Sequence, residues 1–222
     1  MDLKTHPSTE RHELETLVCF ALNEEATQFR KVARETSDII VMVTGIGREN
    51  AAKAVRKFLM HHLPRQVFTC GFAGGLNPDL KTGAVIFSTG DPKLEKSLAG
   101  AGATRASFVC TERIATTVEE KQKLRALHGA DAVEMESDAI LQICREQEIP
   151  CAVVRAISDT ASENLPLDFN ALSKADKSIH FGKLALAVAK SPHKIAALLA
   201  LQRKTSLAAR NLAHVLEQVT FP

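Results

Sequence analysis

Short apolar runs alternate with amphipathic segments along most of the chain. The runs with the apolar, β-branched composition of strands are Leu17–Leu22, Ile39–Thr44, Val67–Cys70, Val85–Ser88, Ala106–Cys110, Val133–Met135 and Ala152–Ile157. Segments with apolar residues at helical spacing lie between them, at Glu24–Arg34, Glu49–His62, Val118–His128 and Asp138–Gln147. This alternation predicts an α/β fold, in which a mostly parallel mixed sheet is flanked by helices.

The C-terminal part of the chain has a different pattern. From Ala171 onward it is almost wholly helical, and Pro192 divides it into two predicted helices. The second, Ile195–Val219, carries Lys and Arg on one side, so it either packs against the sheet or a second subunit or rests on a membrane surface. We favour packing, through Leu198, Leu199, Leu201 and Leu207. The sequence predicts one domain over 1–222, with a polar extension at 1–15 and a helical tail at 171–222.

Composition narrows the function classes. The 222 residues carry a net charge of only +2, which argues against nucleic acid as a partner. Five cysteines without CxxC spacing fit a reducing compartment better than a disulfide framework. The polar N-terminus does not resemble a signal peptide, and no apolar run is long enough to span a bilayer, so we expect a cytoplasmic protein.

Carboxylates and glycines collect where the predicted strands end. Ligands of open parallel sheets bind beyond the carboxyl ends of the strands, so these residues predict a binding crevice. In chain order they are Asn23-Glu24-Glu25, Gly45-Ile46-Gly47, Gly71-Phe72-Ala73-Gly74-Gly75, Glu134-Met135-Glu136-Ser137 and Ser158-Asp159.

Two of these carboxylates belong to one predicted βαβ unit, from Val133 to Asp159. Because its two strands would run parallel, Glu136 and Asp159 are expected at the same end of the sheet, facing one crevice. Alternatively, Glu136 only favours the start of a helix and Asp159 only opens a turn. Arg155, on the second strand, is interpreted as a structural residue with a buried carboxylate partner.

The sequence resembles the nucleoside phosphorylase and nucleosidase superfamily, especially the 5'-methylthioadenosine/S-adenosylhomocysteine nucleosidases. The resemblance covers roughly Leu17–Phe169 and implies the fold of that superfamily and a homo-oligomer. It rests on five motifs in the same order: Ala21-Leu22-Asn23-Glu24-Glu25, Thr44-Gly45-Ile46-Gly47, Gly71-Phe72-Ala73-Gly74-Gly75-Leu76, Val133-Glu134-Met135-Glu136-Ser137 and Val154-Arg155-Ala156-Ile157-Ser158-Asp159.

The resemblance implies cleavage of the glycosidic bond of a purine nucleoside, without a cofactor or metal. Such cleavage leaves positive charge on the sugar and negative charge on the purine. Asp159 corresponds to the acid that protonates purine N7, and Glu25 to the base that activates water. Glu136 corresponds to the clamp on the 2'- and 3'-hydroxyls. The remaining implied binding residues are Met135, Ile46, Gly71, Phe72, Ala73, Gly74, Ile114 and Ser158.

The nucleophile is predicted to be water rather than phosphate. Phe72 stands where many relatives have a hydroxyl, and Phe68-Thr69-Cys70 stand where many phosphorylases have an arginine. Phosphorolysis remains the alternative, with Arg48 as a phosphate ligand at a helix start. A third hypothesis, from a different class, is a nucleoside-binding protein without activity.

Two departures from the family concern the substrate. The segment between Ser88 and Ser107 is shorter than in the familiar nucleosidases, so a more open site is expected. Ile114 stands near the position of an aromatic that stacks on adenine. The shortened form is also similar to hopanoid-associated phosphorylase-like proteins, which implies an adenosine with a modified and bulky 5'-group.

Overall fold

The computed structural model describes residues 12–34, 36–172 and 194–221. The strands are β1 (His12–Phe20), β2 (Ile39–Val43), β3 (His62–Gly75), β4 (Val85–Thr89), β5 (Thr104–Arg105), β6 (Phe108–Cys110), β7 (Ala132–Glu134) and β8 (Cys151–Asp159). The helices are α1 (Asn23–Ala33), α2 (Arg48–Leu59), α3 (Pro92–Gly100), α4 (Val118–His128), α5 (Ser137–Glu146), α6 (Phe169–Leu172) and α7 (Ile195–Thr220).

The eight strands form one mixed sheet in the order β2-β1-β3-β8-β4-β5, with β7 paired to the end of β3 and β6 beside β7. The four strands β2, β1, β3 and β8 run parallel, and β4 runs antiparallel to β8. The predicted α/β class with a mostly parallel mixed sheet is therefore confirmed. The carboxyl ends of β1, β3 and β8 meet at one edge, where parallel sheets bind ligands.

Alternate residues of β1 enter two separate layers of the core. Val18 and Phe20 pack in a cluster with α1, α3 and α7, whereas Leu17 and Cys19 pack in a cluster with α2 and α5. This is the period of two expected when a strand is buried on both faces. The sheet is thus covered by helices on both sides, and β8 is buried along its whole length.

The predicted element bounds differ from the observed ones in several places. The third strand runs for 14 residues, because β3 pairs with β1 and β8 along its two sides and so continues through Pro64 and the glycines. The helix predicted to reach His62 ends at Leu59, and α3 was not predicted. β1 begins at His12, inside the stretch predicted as an extension. The single-domain organisation stays a prediction.

The predicted βαβ unit with parallel strands is wrong. β7 pairs antiparallel with the last two residues of β3, Gly74 and Gly75, while β8 pairs parallel with β3. β7 is only three residues long and joins the sheet at the end of β3, so no parallel crossover is formed. The helix between the two strands, α5, is present as predicted.

The predicted C-terminal helix is confirmed as α7, and the stretch around Pro192 lies outside the described residues. Its four named leucines are not fully buried, and Leu199 is 51% exposed. The buried side of α7 faces α1 and β8 and is formed by Ala208, Ala209, Leu212, Ala213, Val215, Leu216 and Val219. No described helix, α7 included, is apolar over a stretch long enough to cross a bilayer.

Candidate active site

A cavity of about 210 Å³ opens at the carboxyl ends of β1, β3 and β8. Every site residue predicted from the sequence lines it except Gly71, although these residues come from distant parts of the chain. The predicted residues that line it are Glu25, Ile46, Phe72, Ala73, Gly74, Ile114, Met135, Glu136, Ser158 and Asp159.

Glu25 lies in the first turn of α1 and is held by backbone groups. One of its oxygens accepts hydrogen bonds from the N–H groups of Ala21 and Leu22, and the other accepts one from Phe72 at 2.8 Å. Burial raises the pKa of the Glu25 carboxyl, although the Phe72 N–H and the Arg155 guanidinium oppose this shift. The result is a rigid carboxylate that binds a proton more readily than an exposed one.

Gly71 supports Glu25 instead of lining the cavity. A Cβ atom at this position would lie 2.7 Å from Glu25 Oε1, which is closer than a non-bonded contact allows. The backbone φ of +153° is also rare for a residue with a side chain. The glycine therefore lets β3 pass directly beneath the carboxylate.

Glu136 immediately precedes α5 and contacts the start of α2. Its Oε1 accepts a hydrogen bond of 2.8 Å from the backbone N–H of Gly47, and its Oε2 lies 3.7 Å from Arg155 Nη2. Burial, together with the neighbouring Glu134, raises the pKa of Glu136 to about 7, against the opposing effect of Arg155 and the Gly47 N–H.

Glu134 is the buried partner that the sequence predicts for Arg155. Arg155 Nη2 donates to Glu134 Oε2 at 2.7 Å, and both side chains are at most 1% exposed. Burial alone would raise the pKa of Glu134, but Arg155 and the Ser137 hydroxyl outweigh it, so the pKa lies below its usual range. Glu134 also lines the cavity, although it was not among the site residues predicted from the sequence.

Asp159 ends β8 and is held from two sides. The Ser158 hydroxyl donates to Oδ1 at 2.6 Å, and Lys121 Nζ donates to Oδ2 at 2.5 Å. Lys121 comes from α4, whose N-terminus is fixed by a capping box between Thr117 and Glu120. Sequence reasoning missed Lys121, because a lysine within a polar helix carries no sign that it is buried.

Loops and α7 also contribute to the lining of the cavity. Asn170 joins α6 to the loop around Ile114: its Oδ1 accepts the Ile114 N–H and its Nδ2 donates to the Ile114 carbonyl, both at 2.9 Å. α3, in the shortened middle segment, contributes nothing to the cavity and packs into the core. The lining residues not predicted from the sequence are Ala21, Leu22, Thr111, Arg113, Ala115, Val133, Glu134, Leu165, Phe169, Leu201 and Thr205.

The cavity lining contains little positive charge. Arg113 is the single Lys or Arg among the described lining residues, and it is exposed. Arg48, the candidate phosphate ligand, is not part of the lining and pairs with Asp138 at 3.0 Å on the surface. The Phe72 side chain packs against the core, so that residue contributes a hydrogen bond only through its backbone. Across the described residues, no cluster of His, Cys, Asp and Glu is arranged to hold a metal.

Comparison with known proteins adds independent observations. The sequence model of the phosphorylase superfamily matches residues 11–91 and 93–190. The 5'-methylthioadenosine/S-adenosylhomocysteine nucleosidase of Shewanella pealeana is 27% identical over 168 residues, which cover 60% of this chain and 73% of that protein. The aminodeoxyfutalosine nucleosidase of Campylobacter jejuni is 25% identical over 197 residues, which cover 71% and 83%.

A solved structure confirms the fold. The 5'-methylthioadenosine/S-adenosylhomocysteine nucleosidase of Neisseria meningitidis, in complex with methylthio-immucillin-A, superposes with a TM-score of 0.70. The superposition covers 93% of this chain and 98% of that chain, at 21% sequence identity. The likeness therefore extends over nearly the whole chain, including parts that lie outside the sequence motifs.

Proposed function

The chain belongs to the phosphorylase superfamily, and from this premise we propose that it hydrolyses the N-glycosidic bond of a purine nucleoside, specifically a 5'-modified adenosine. The observation that carries the proposal is that Glu25, Glu136 and Asp159 line one cavity, each buried and each with different partners. The names of the relatives support the reaction class, since both relatives described above are nucleosidases.

The leaving-group end of the reaction is assigned to Asp159. When the bond between sugar and purine breaks, negative charge develops on the purine, and a proton delivered to N7 neutralises it. The hydrogen bond from Ser158 and the ion pair with Lys121 fix both oxygens of Asp159 at the cavity wall. A carboxyl group with so few orientations is well placed to meet one atom of the base.

The sugar is assigned to Glu136. The Gly47 N–H holds one oxygen of this carboxylate, and the remaining acceptor positions are available to the 2'- and 3'-hydroxyls. Hydrogen bonds from two hydroxyls favour the ionised form, and the resulting negative charge stabilises the positive charge that develops on the sugar. Met135 lines the cavity next to Glu136 and gives the sugar an apolar surface.

The attacking water is assigned to Glu25. An ionised carboxylate has about four acceptor positions, and three backbone N–H groups occupy three of them here. The remaining position can accept a hydrogen bond from water and then take its proton. The raised pKa of Glu25 suits a base that works near neutral pH.

Water is favoured over phosphate because of the charges around the cavity. A phosphate dianion would lie among the carboxylates, and the described lining offers it one exposed arginine. Water needs only a base and a hydrogen-bonding position, both of which Glu25 supplies. Phosphorolysis would require cations that the described lining does not provide.

The test is release of adenine from 5'-methylthioadenosine and S-adenosylhomocysteine in phosphate-free buffer. We expect turnover by the unchanged protein, and a loss of roughly 100-fold or more in kcat/KM for Glu136→Gln and for Asp159→Asn. Asp138→Asn is the matched control, because Asp138 lies two residues from Glu136 but pairs with Arg48 on the surface. Turnover that requires added phosphate, or nucleoside binding without turnover, would overturn the proposal.

We also propose that the protein acts in the cytoplasm as a homo-oligomer. Apolar side chains remain exposed after α2 and in α4, where Met60 is 62% and Leu127 77% exposed. Apolar side chains that join into one contiguous exposed patch are typical of contacts between protein chains, whereas single exposed ones are common on monomers. Light scattering coupled to size exclusion measures the oligomeric state directly, and a monomeric mass would contradict this part of the proposal.

A further inference from the structure

A buried lysine lies behind the carboxylate assigned to the leaving group. The Lys121 side chain is 0% exposed, and its Nζ donates to Asp159 Oδ2 at 2.5 Å, to the Thr160 carbonyl at 2.6 Å and to the Glu163 carbonyl at 2.8 Å. An ammonium group has three N–H donors, and here each of them meets an oxygen acceptor. The site is therefore built for the protonated form of this lysine.

The pairing creates a difficulty for a simple acid at Asp159. Both oxygens of Asp159 accept hydrogen bonds, one from Ser158 and one from Lys121, so neither oxygen acts as a donor in this arrangement. Of these two donors, the serine hydroxyl is not an acid at neutral pH. Within the described structure, the acidic proton nearest to Asp159 is on Lys121.

We propose that Lys121 is a positioning residue that supplies, through Asp159, the proton that the leaving purine takes up. This inference rests on the proposed function. As the bond between sugar and purine breaks, its electron pair moves onto the purine and N7 forms a bond to a proton from Asp159. A proton passes from Lys121 Nζ to Asp159 in the same step, which leaves a neutral amine beside a carboxylate. Water that attacks the sugar gives its proton to Glu25, and exchange with solvent returns a proton to Lys121.

The contacts of the pair are compatible with this transfer when it is coupled to bond cleavage. Loss of the proton from Lys121 leaves the Asp159 carboxylate without its cationic partner, which is offset only as the purine takes up the proton and positive charge develops on the sugar. The neutral amine keeps two N–H donors for the carbonyls of Thr160 and Glu163. After the transfer, the pair carries one net negative charge, which is opposite in sign to the charge that develops on the sugar.

The other charged groups of this region have partners of their own or line the same cavity. From the loop after β8, the Glu163 carboxylate pairs with Lys204 of α7. Gly74 of β3 lies beside the pair and carries no charge. The cavity is also lined by Glu25, Arg113, Glu134 and Glu136, and Arg155 pairs with Glu134. None of these groups makes a hydrogen bond to Asp159 in the described structure.

A proton reservoir of this kind changes the pH dependence of the reaction in a defined direction. An ammonium group ordinarily keeps its proton to a much higher pH than a carboxyl group does. In the proposed step the transferred proton starts on an ammonium group, whereas without Lys121 it would have to start on a carboxyl group. Removing the lysine moves the alkaline limb of the profile of kcat/KM against pH to lower pH.

The experiment compares the unchanged protein with Lys121→Met and Lys121→Arg on two substrates. One is 5'-methylthioadenosine, and the other is a 4-nitrophenyl riboside, whose leaving group needs no proton. For Lys121→Met at about pH 9, we expect kcat/KM on the nucleoside to fall roughly 100-fold, with a change below about threefold on the nitrophenyl riboside. Activity on the riboside also shows that the variant has folded with Glu25 and Glu136 in place.

Lys121→Arg separates proton supply from simple charge pairing. Arginine keeps the positive charge but does not release its proton. We therefore expect kcat/KM of Lys121→Arg on 5'-methylthioadenosine to be as low as that of Lys121→Met. Full activity of Lys121→Arg, or an alkaline limb that does not move in Lys121→Met, overturns the inference. If Lys121→Arg does not fold, the two substrates with Lys121→Met decide the question. If the unchanged protein cleaves neither substrate, the proposed function itself has failed.

Discussion

At the scale of single residues, three carboxylates in one cavity differ because their partners differ. Glu25 is held by backbone N–H groups, Glu136 by one N–H and a distant guanidinium, and Asp159 by a lysine and a serine. Burial is common to all three, so in the proposed function their partners distinguish the group that accepts a proton, the group that binds hydroxyls and the group that serves the leaving purine. The protein combines them by placing each at the end of a different element.

Glu136 is expected to lower the stability of the folded protein at alkaline pH. Its pKa is raised from 4.5 to about 7 in the folded state, so the folded form holds the proton more tightly than the unfolded chain does. The contribution to stability is therefore greatest below about pH 4.5 and is lost as the pH rises to about 7. Glu136→Gln removes this charge. The change in the free energy of unfolding that the substitution causes should therefore be more favourable at pH 8 than at pH 4.5, by on the order of 3 kcal/mol.

Urea denaturation of both proteins at these two pH values measures this difference. Glu24→Gln, at an exposed position in α1, is the matched control for the substitution itself. An equal change in stability at both pH values would show that burial of the Glu136 charge carries no cost. Activity should be lost in the same variant. The charge of Glu136 would then lower the stability of the folded protein while being required for the reaction.

Gly71→Ala should lower activity through Glu25. The new Cβ would lie 2.7 Å from Glu25 Oε1, so the carboxylate must move away from the Phe72 N–H that holds it. We expect kcat to fall by roughly tenfold or more while the binding of free adenine is retained. The substitution displaces the Glu25 carboxylate and leaves the rest of the cavity in place. Gly100→Ala is the control, since nothing lies within 4 Å of its added Cβ. Equal rates in the two variants would contradict the assigned role of Glu25.

At the scale of elements, the rule that ligands bind at strand ends was sufficient to find residues that line one cavity. It succeeded for Glu25 and Asp159 because β1, β3 and β8 are parallel and end at one edge. Glu136 lines the same cavity, but the reason given for it from the sequence is wrong, since β7 is antiparallel to β3. Pairing of a three-residue strand depends on where the long β3 ends, and the local pattern of residues does not encode that.

Other parts of the site could not be inferred because they depend on tertiary packing. Lys121 is buried only because the loop after β8 turns back over α4, and the loop carbonyls that bind it have no signature in the sequence. Leu201 and Thr205 reach the cavity because α7 crosses the sheet beside α1. The motifs do contain the three carboxylates, since each lies directly beside a recognisable strand or helix start.

The first half of α7 is expected to contribute to substrate binding. Leu201 lines the cavity, whereas Leu199, on the same helix, is 51% exposed and outside it. Leu201→Asp introduces a charge into an apolar wall, so we expect kcat/KM on 5'-methylthioadenosine to fall roughly tenfold or more. Leu199→Asp is the matched control and should change it less than about threefold. Similar losses in both variants would show that the helix, and not the cavity wall, is being perturbed.

At the scale of the whole molecule, α7 and the sheet share one core although the sequence motifs end before α7. Leu212 and Leu216 belong to the same buried cluster as Phe20 of β1 and Phe68 of β3. A helix that completes the core and also lines the cavity links stability to the site. The strands and α7 are therefore expected to unfold together, as one cooperative unit.

Leu212→Ala tests this expectation. Leu212 is 1% exposed, so its truncation should lower the free energy of unfolding by about 2–5 kcal/mol, whereas Leu199→Ala on the exposed side should cost less than about 1 kcal/mol. The chain has no Trp or Tyr, so far-UV circular dichroism follows the helices. Labelling of buried Cys70 by a thiol reagent, located among the five free cysteines by peptide mass spectrometry, follows β3. In one cooperative unit, both signals shift to the same lower denaturant midpoint in Leu212→Ala. Loss of helical signal while Cys70 stays protected would instead show that α7 unfolds from an otherwise intact sheet.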